Sequence, residues 1–311
     1  MKPVAPPIAF DQAVPDSGYR WWYIDGVSAD GRFGVVIIAF VGSVFSPYYY
    51  RARQRGPVRP EDYTSINVCV YRPGGDRWAM TERSARSLER RSDFFRVAGS
   101  HLAWHGDRLV IEVAERSAPF ARRLAGTIEL TPRTLNDEAF TLDLDDRHFW
   151  RPVAPMADIR VNFTQPEMRW TGHGYLDTNY GSRMLELDFA TWDWSRSAEA
   201  DSTSIYYVAR LLGGEERTLG LRFASDGSRE ALPVPSAQPL PKTGWRVARQ
   251  PSNPVTLRVR RVLEDTPFYS RSLLSGVDDE SGLIVHESLD MRRFSAAWVR
   301  SLLPFRMPRL A

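Results

Sequence analysis

An all-β fold is what this sequence predicts, and three observations carry the prediction. Apolar and polar residues alternate with a period of two along most of the chain, turn-forming residues recur between the short runs, and helical periodicity is confined to one segment near the C-terminus. In order, strands are expected at Phe33–Val41, Tyr63–Tyr71, Trp78–Arg83, Leu102–Trp104, Leu109–Ala114 and Arg123–Leu130. His105-Gly106-Asp107 supplies the turn of a hairpin between Leu102–Trp104 and Leu109–Ala114. Further strands follow at Asp158–Thr164, Gly172–Leu176, Arg183–Trp192 and Ser204–Leu212, the last turning at Gly213-Gly214 into Thr218–Ala224. Val255–Leu263, Ser270–Ser275 and Gly282–Asp290 complete the set. Phe294–Leu303 is the helix, with Phe294, Trp298, Val299, Leu302 and Leu303 on one face. Short strands at this spacing build sandwiches or barrels.

The chain has 311 residues, enough for one large or two ordinary domains. Arg151-Pro152-Val153-Ala154-Pro155 interrupts the pattern, so two β-domains are expected, residues 1–160 and 161–311. Leu232–Lys242, with four prolines, reads as a loop inside the second. Basic and acidic residues number 41 and 38. All the basic residues except Lys2 and Lys242 are arginine, so the pI of 9.1 reflects guanidinium chemistry rather than a polyanion partner. The charges are interspersed, without the stripe that a nucleic-acid binder gathers. A single cysteine, Cys69, excludes an internal disulfide and a thiolate metal cage.

Prolines and an acid follow Lys2 where a secretory signal has its apolar core. The longest apolar run, Val35–Val44, is about ten residues, half of what a bilayer span needs. A cytoplasmic protein, soluble or peripherally bound, is expected. Ten tryptophans and an aromatic content of 12% suit a core, and also a pocket for a large apolar ligand.

The chain has no G-x-S-x-G, no G-x-x-x-x-G-K and no H-E-x-x-H. His101 and His105 have the spacing of a helical metal pair but lie in the expected hairpin, where four residues span roughly 13 Å; no metal site is expected. Four segments stand apart from routine β-core. In Gly18–Asp25, alternation places Tyr19, Trp21 and Tyr23 on one face, as an aromatic wall or as a core strand of a sandwich. Ser46–Arg55 sets tyrosines before three basic residues, Arg51, Arg53 and Arg55, in a polar stretch, either a solvated loop or a contact for lipid headgroups. Asp146–Pro152 and Trp170–Gly181 each hold an i, i+2 pair, His148/Trp150 and Tyr175/Asp177. If both are extended, an imidazole, an indole, a phenol and a carboxylate converge, although Asp177-Thr178-Asn179-Tyr180-Gly181 is also good turn chemistry.

Together these segments resemble the carotenoid 1,2-hydratase family, also called hydroxyneurosporene synthases, of purple and other bacteria. The resembling stretches are GYRWWYIDGVSADGRFGVVIIAFVGSVFSPYY, INVCVYRPGGDRWAMTER, RHFWRPVAP, GHGYLDTNYG and TWDWSR, spanning residues 18–196, with a weaker likeness beyond Arg196. The resemblance implies two lipocalin-like β-domains that add water across the terminal C1–C2 double bond of an acyclic carotenoid such as neurosporene or lycopene. No redox cofactor or metal is implied. The family's acid falls on Asp177 and its tyrosine on Tyr175, while the histidine and tryptophan of its R-H-x-W-R-P segment fall on His148 and Trp150.

The chemistry fits those residue types. Protonating an unactivated alkene needs a strong acid in a dry site, and burial disfavours the charged carboxylate. Asp177 would protonate C2, and Trp150, Tyr175 and Trp21 or Tyr23 would face the tertiary cation at C1. His148 would orient Asp177 or take the proton of the attacking water. Tyr19, Trp21, Tyr23 and Trp192 are expected to line the substrate, with Glu186 or Asp193 as alternative acids. Two other functions remain: an isoprenoid or polyene cyclase-type enzyme, and a non-catalytic lipocalin-like carrier, which has no need of a buried acid. A carotenoid substrate implies peripheral contact with the inner or photosynthetic membrane. Either the Tyr48–Arg55 segment or the tail helix continuing into Phe305, Arg306 and Arg309 would supply it, although that helix could equally cap the second barrel. The sequence carries no signal for an oligomeric state.

Overall fold

A computed structural model describes residues 6–278 and 282–310; the reading of the first five residues as non-secretory therefore lies outside the described part. Strand makes up over half of the chain and helix about a tenth, as the alternation predicts. The chain forms two compact units. The first takes the residues up to Thr141, Arg147–Met184 and those from Leu302 on; the second takes Leu142–Asp146 and Leu185–Ser301.

The first unit is built on twelve strands: β1 Tyr19–Ser28, β2 Gly34–Val41, β3 Thr64–Tyr71, β4 Arg77–Met80, β5 Leu88–Arg91, β6 Phe94–Val97, β7 Ser100–His105, β8 Arg108–Arg116, β9 Arg123–Thr134, β10 Phe140–Thr141, β11 His148–Gln165 and β12 Glu167–Gly181. They join antiparallel in the order β4-β3-β2-β1-β12-β11-β9-β8-β7-β6-β5, with β10 on β11. In a flat sheet, β1 and β6 would stand about 29 Å apart, six strand spacings. Instead the rings of Trp22 and Phe95 meet at 5.3 Å, with Phe10 wedged against both. The sheet therefore curls around one core, and Arg77 on edge strand β4 donates to the carbonyl of Arg123 on β9 (2.8 Å). Trp22, Ile24, Ile37, Val68, Ile111, Ile159 and Leu176 lie in that core.

Residue 160, where the sequence places the boundary, is inside β11, and the units change over after Met184 instead. The prolines that look like a linker are accommodated in the strand, where the register shifts between Pro152, Ala154 and Ala157; bulges tolerate a residue that has no N–H to give. The second unit carries β13 Phe189–Ala198, β14 Ser202–Leu211, β15 Glu216–Ala224, β16 Arg229–Ala231, β17 Leu257–Asp265, β18 Tyr269–Gly276 and β19 Ile284–Asp290, in the order β16-β15-β14-β13-β19-β18-β17. Its first strand starts later than expected, because Leu185–Leu187 forms a 3-10 turn. Leu232–Lys242 has only isolated bridges, in keeping with a loop.

Among the described residues there are three α-helices: α1 Pro47–Arg53, α2 Met291–Phe294 and α3 Ala297–Arg306. The expected Tyr48–Arg55 loop is thus mostly helix. Ser46 accepts from the amides of Tyr48 and Tyr49, and Pro47 takes the first helical position. Tyr49 anchors α1 by stacking on Tyr63 and donating to the carbonyl of Gly18 (2.6 Å). The tail helix also departs from expectation. It breaks at Ser295-Ala296, so Phe294 lies on α2, and α3 turns Val299 and Leu303 inward while leaving Trp298, Leu302 and Phe305 exposed. At the last residue of α3 the Arg306 guanidinium lies over the Trp78 ring, and beyond the helix Glu82 and Arg309 form a parallel bridge and an ion pair.

Candidate active site

The alternation of β1 divides its residues between two environments. Trp22 and Ile24 enter the core, and Tyr19, Trp21, Tyr23 and Asp25 occupy the opposite face, where all four are buried. β12 runs antiparallel beside them and sets Gly181 opposite Tyr19, Asn179 opposite Trp21, Asp177 opposite Tyr23 and Tyr175 opposite Asp25. The next strand, β11, brings His148 opposite Gly181 and Trp150 opposite Asn179. Thus the extended conformation of both i, i+2 pairs, read from the sequence, puts all four side chains on one face.

Two donors converge on one oxygen there. The indole N–H of Trp150 and the hydroxyl of Tyr175 both reach Oδ2 of Asp177, at 2.8 and 2.9 Å. The carboxyl is 5% exposed and Tyr175 fully buried. Around the carboxyl, Tyr23 meets Tyr175 edge-on at 6.2 Å, and Trp150 packs against Phe140 at 5.8 Å. Trp21 stacks on Tyr19 at 4.9 Å and leans on Phe40 and Phe45.

His148 joins this face through Tyr19. Its Nδ1 lies 3.0 Å from the Tyr19 hydroxyl, and the two rings are stacked. Gly181 makes the approach possible. A Cβ at that position would stand 2.8 Å from Cε1 of Tyr19 and 2.9 Å from Nδ1 of His148, inside contact distance.

The structure brings together Tyr19, Trp21, Tyr23, His148, Trp150, Tyr175 and Asp177, all in the first unit. Trp192 belongs to the second, on β13, in an aromatic group with Phe189 and Tyr207. Of the alternative acids, Glu186 sits in the 3-10 turn. Asp193 is in a buried network with Ser288, Arg210 and the amide of Gln250, and burial raises its carboxyl to about 6. Asp25 is the residue the sequence reading passed over. It is 1% exposed, faces the same side as Tyr23 and accepts from that hydroxyl at 3.2 Å. The alternation that selects Tyr19, Trp21 and Tyr23 points to Asp25 as the next position. Among the described residues, no group of three His, Cys, Asp or Glu side chains is placed to share a metal ion.

Comparison with known proteins adds relatives to this geometry. The family model for carotenoid hydratase CrtC matches residues 37–311. The chain is 43% identical over 305 residues to an acyclic carotenoid 1,2-hydratase of Thiocapsa roseopersicina, covering 97% of this chain and 75% of that one. It is 44% identical over 312 residues to the enzyme of the same name from Rubrivivax gelatinosus, covering 97% and 76%. Among solved structures, a Nitrosomonas europaea protein described as an AttH superposes with a TM-score of 0.61 at 16% identity, covering 94% of this chain and 99% of that one. Kievitone hydratase from Nectria haematococca superposes with a TM-score of 0.56 at 10% identity, covering 94% and 95%. At these identities the two structures speak for the fold alone.

Proposed function

Since the chain belongs to the carotenoid hydratase CrtC family, we propose that it hydrates the terminal C1–C2 double bond of an acyclic carotenoid, such as neurosporene or lycopene, to a tertiary alcohol. The observation that carries the reading is the buried Asp177 carboxyl with Trp150 and Tyr175 both donating to Oδ2. Asp177 gives its carboxyl proton to C2, and the alkene π pair forms the new C–H bond. The carboxyl becomes a carboxylate in that step, so hydrogen bonds from two donors strengthen as the charge develops. The tertiary cation left at C1 faces the rings of Trp21, Tyr23 and Trp150. Water then bonds to C1 and loses a proton. Addition of water moves no electrons between redox states, so the chemistry calls for no redox cofactor.

His148 and Tyr19 act as positioning residues in this scheme, holding the Trp21 ring through the stack. A carrier would gain nothing from two donors converging on a buried acid, which favours catalysis over carriage. Incubation of the purified protein with lycopene in detergent micelles tests the reading: a product heavier by one water supports it. Cyclised product of unchanged mass would indicate a cyclase, and lycopene bound but unaltered a carrier.

The substrate is lipid-soluble, and peripheral membrane contact is part of the proposal. Among the described residues, no helix is long and apolar enough to cross a membrane. We assign the contact to the outward face of α3, where Trp298, Leu302 and Phe305 are exposed and Arg293 lies over the Trp298 ring. Apolar side chains beside arginine suit an anionic bilayer surface. In α1 the Tyr49 ring is turned inward, so α3 is the better surface.

A further inference from the structure

Two tripeptides of one pattern face each other across β1 and β12. Tyr23-Ile24-Asp25 and Tyr175-Leu176-Asp177 pair antiparallel, with Tyr23 opposite Asp177, Ile24 opposite Leu176 and Asp25 opposite Tyr175. The pairing has a local two-fold relation, and the hydrogen bonds follow it. Tyr23 donates to Oδ2 of Asp25 at 3.2 Å, as Tyr175 donates to Oδ2 of Asp177 at 2.9 Å. The two tyrosine rings touch at the centre, and both aspartates are at least nine-tenths buried. Burying a second carboxyl beside the first is unfavourable, and protonation by Asp177 alone gives it no purpose.

We propose that Asp25 is the base of the reaction, taking the proton from the water that attacks C1 while Asp177 supplies the proton to C2. The inference rests on the hydratase reading above. Diagonal neighbours on one face of an antiparallel pair lie about 7–8 Å apart. This backbone separation is of the same order as the about 6.5–9.5 Å between the carboxyls that flank a substrate bond and a water in inverting glycosidases. One proton on the pair suffices for the step, with Asp177 as its donor and the Asp25 carboxylate as the acceptor. Trp150 breaks the symmetry, because its indole adds a second donor to Asp177, so that Asp177, when it carries the proton, is the stronger acid of the two. The step balances. Asp177 loses a proton to C2, the water oxygen bonds to C1, and the proton released goes to the Asp25 carboxylate. Return of one proton from Asp25 to Asp177 through solvent resets the pair.

Turnover of lycopene in D2O separates the two roles, with the alcohol and the deuterium at C2 of recovered lycopene both measured. Wild type is expected to give deuterated alcohol and little deuterium in recovered substrate. Asp25→Asn retains the acceptor for Tyr23 and should lower hydration on the order of 10²–10⁴-fold. Deuterium should nevertheless enter recovered lycopene, because the cation still forms and reverts. Asp177→Asn should give neither. Should Asp25→Asn fail to fold, Tyr23→Phe removes only the phenol that fixes Asp25, and its ratio of exchange to hydration should rise several-fold. A folded Asp25→Asn that hydrates at the wild-type rate, or that loses exchange and hydration in equal proportion, overturns the proposal. So does a Tyr23→Phe ratio equal to that of wild type. Wild type that produces no alcohol defeats the hydratase reading itself, a distinct result because Asp177→Asn then changes nothing.

Discussion

Replacing Trp150 by Phe removes one N–H from Oδ2 of Asp177 and leaves an aromatic ring in place. On the proposed mechanism that N–H serves a neutral carboxyl in the ground state, where a hydrogen bond contributes about 1 kcal/mol, and a developing carboxylate at the transition state, where the contribution is about 1.5–3 kcal/mol. The difference, about 0.5–2 kcal/mol, is what the substitution withdraws from catalysis, and it corresponds to a kcat roughly 2–30-fold lower. Because Trp150 and Tyr175 donate to the same oxygen at nearly equal distances, 2.8 and 2.9 Å, Tyr175→Phe should fall in the same range. The double variant should deviate from additivity, since each donor is partly redundant with the other. The assay is initial-rate hydration of lycopene in micelles, with alcohol quantified chromatographically and substrate affinity followed by tryptophan fluorescence. Both singles are expected to lower kcat with KM changed little. If either lowers affinity while kcat stays within twofold of wild type, the donors serve substrate packing and the reasoning about developing charge is refuted.

Three further outcomes follow from the same geometry. Gly181→Ala should force Tyr19 and His148 apart, costing about 1–3 kcal/mol and lowering the melting temperature by roughly 3–10 °C; an unchanged melt would mean that the two rings yield freely. Burial lifts the Glu82 carboxyl from 4.5 to about 7, against hydrogen bonds from Ser46 and Arg309. The folded state therefore holds a proton there that the unfolded chain has released, so this group's contribution to stability falls as pH rises from 4.5 to about 7. Glu82→Gln should flatten that part of the profile by on the order of 2–3 kcal/mol, and melts showing the same pH slope in both proteins would contradict it. Trp298→Ser and Phe305→Ser should each weaken flotation with anionic liposomes several-fold, in line with about 1–2 kcal/mol of aromatic burial, while hydration of micellar lycopene is unchanged; undiminished flotation would move the contact away from α3.

The all-β class and most of the site face were legible because both rest on period-two alternation, which is local. Tyr19, Trp21 and Tyr23 could be assigned to one face, and the His148/Trp150 and Tyr175/Asp177 pairs to another two stretches, before any register was known. What joined them was the pairing of β1 with β12 and of β12 with β11, a long-range property that spacing does not carry. Asp25 escaped notice for that reason: alternation places it beside Tyr23, yet only the register sets it opposite Tyr175 and next to Asp177. Local chemistry misled in two places. The proline run at Arg151–Pro155 reads as a linker, whereas bulges absorb it within β11. In α1, the tyrosine-arginine run reads as a polar loop, although Ser46 and Pro47 together are good helix-start chemistry. The apolar face assigned to one tail helix mixes residues of two, because the break at Ser295-Ala296 rotates Trp298 and Leu302 outward.

The central claim is that the Asp177 carboxyl protonates the alkene, and Asp177→Asn tests it most directly. The amide keeps the shape of the side chain and an oxygen for Trp150 and Tyr175, but it has no acidic proton to give. Purified variant and wild type, matched for melting temperature and lycopene binding, are compared for alcohol formed per unit time. The account predicts bound lycopene and no detectable alcohol from the variant. Hydration above about a tenth of the wild-type rate, far more than an enzyme deprived of its proton donor retains, would contradict it and place the acid elsewhere.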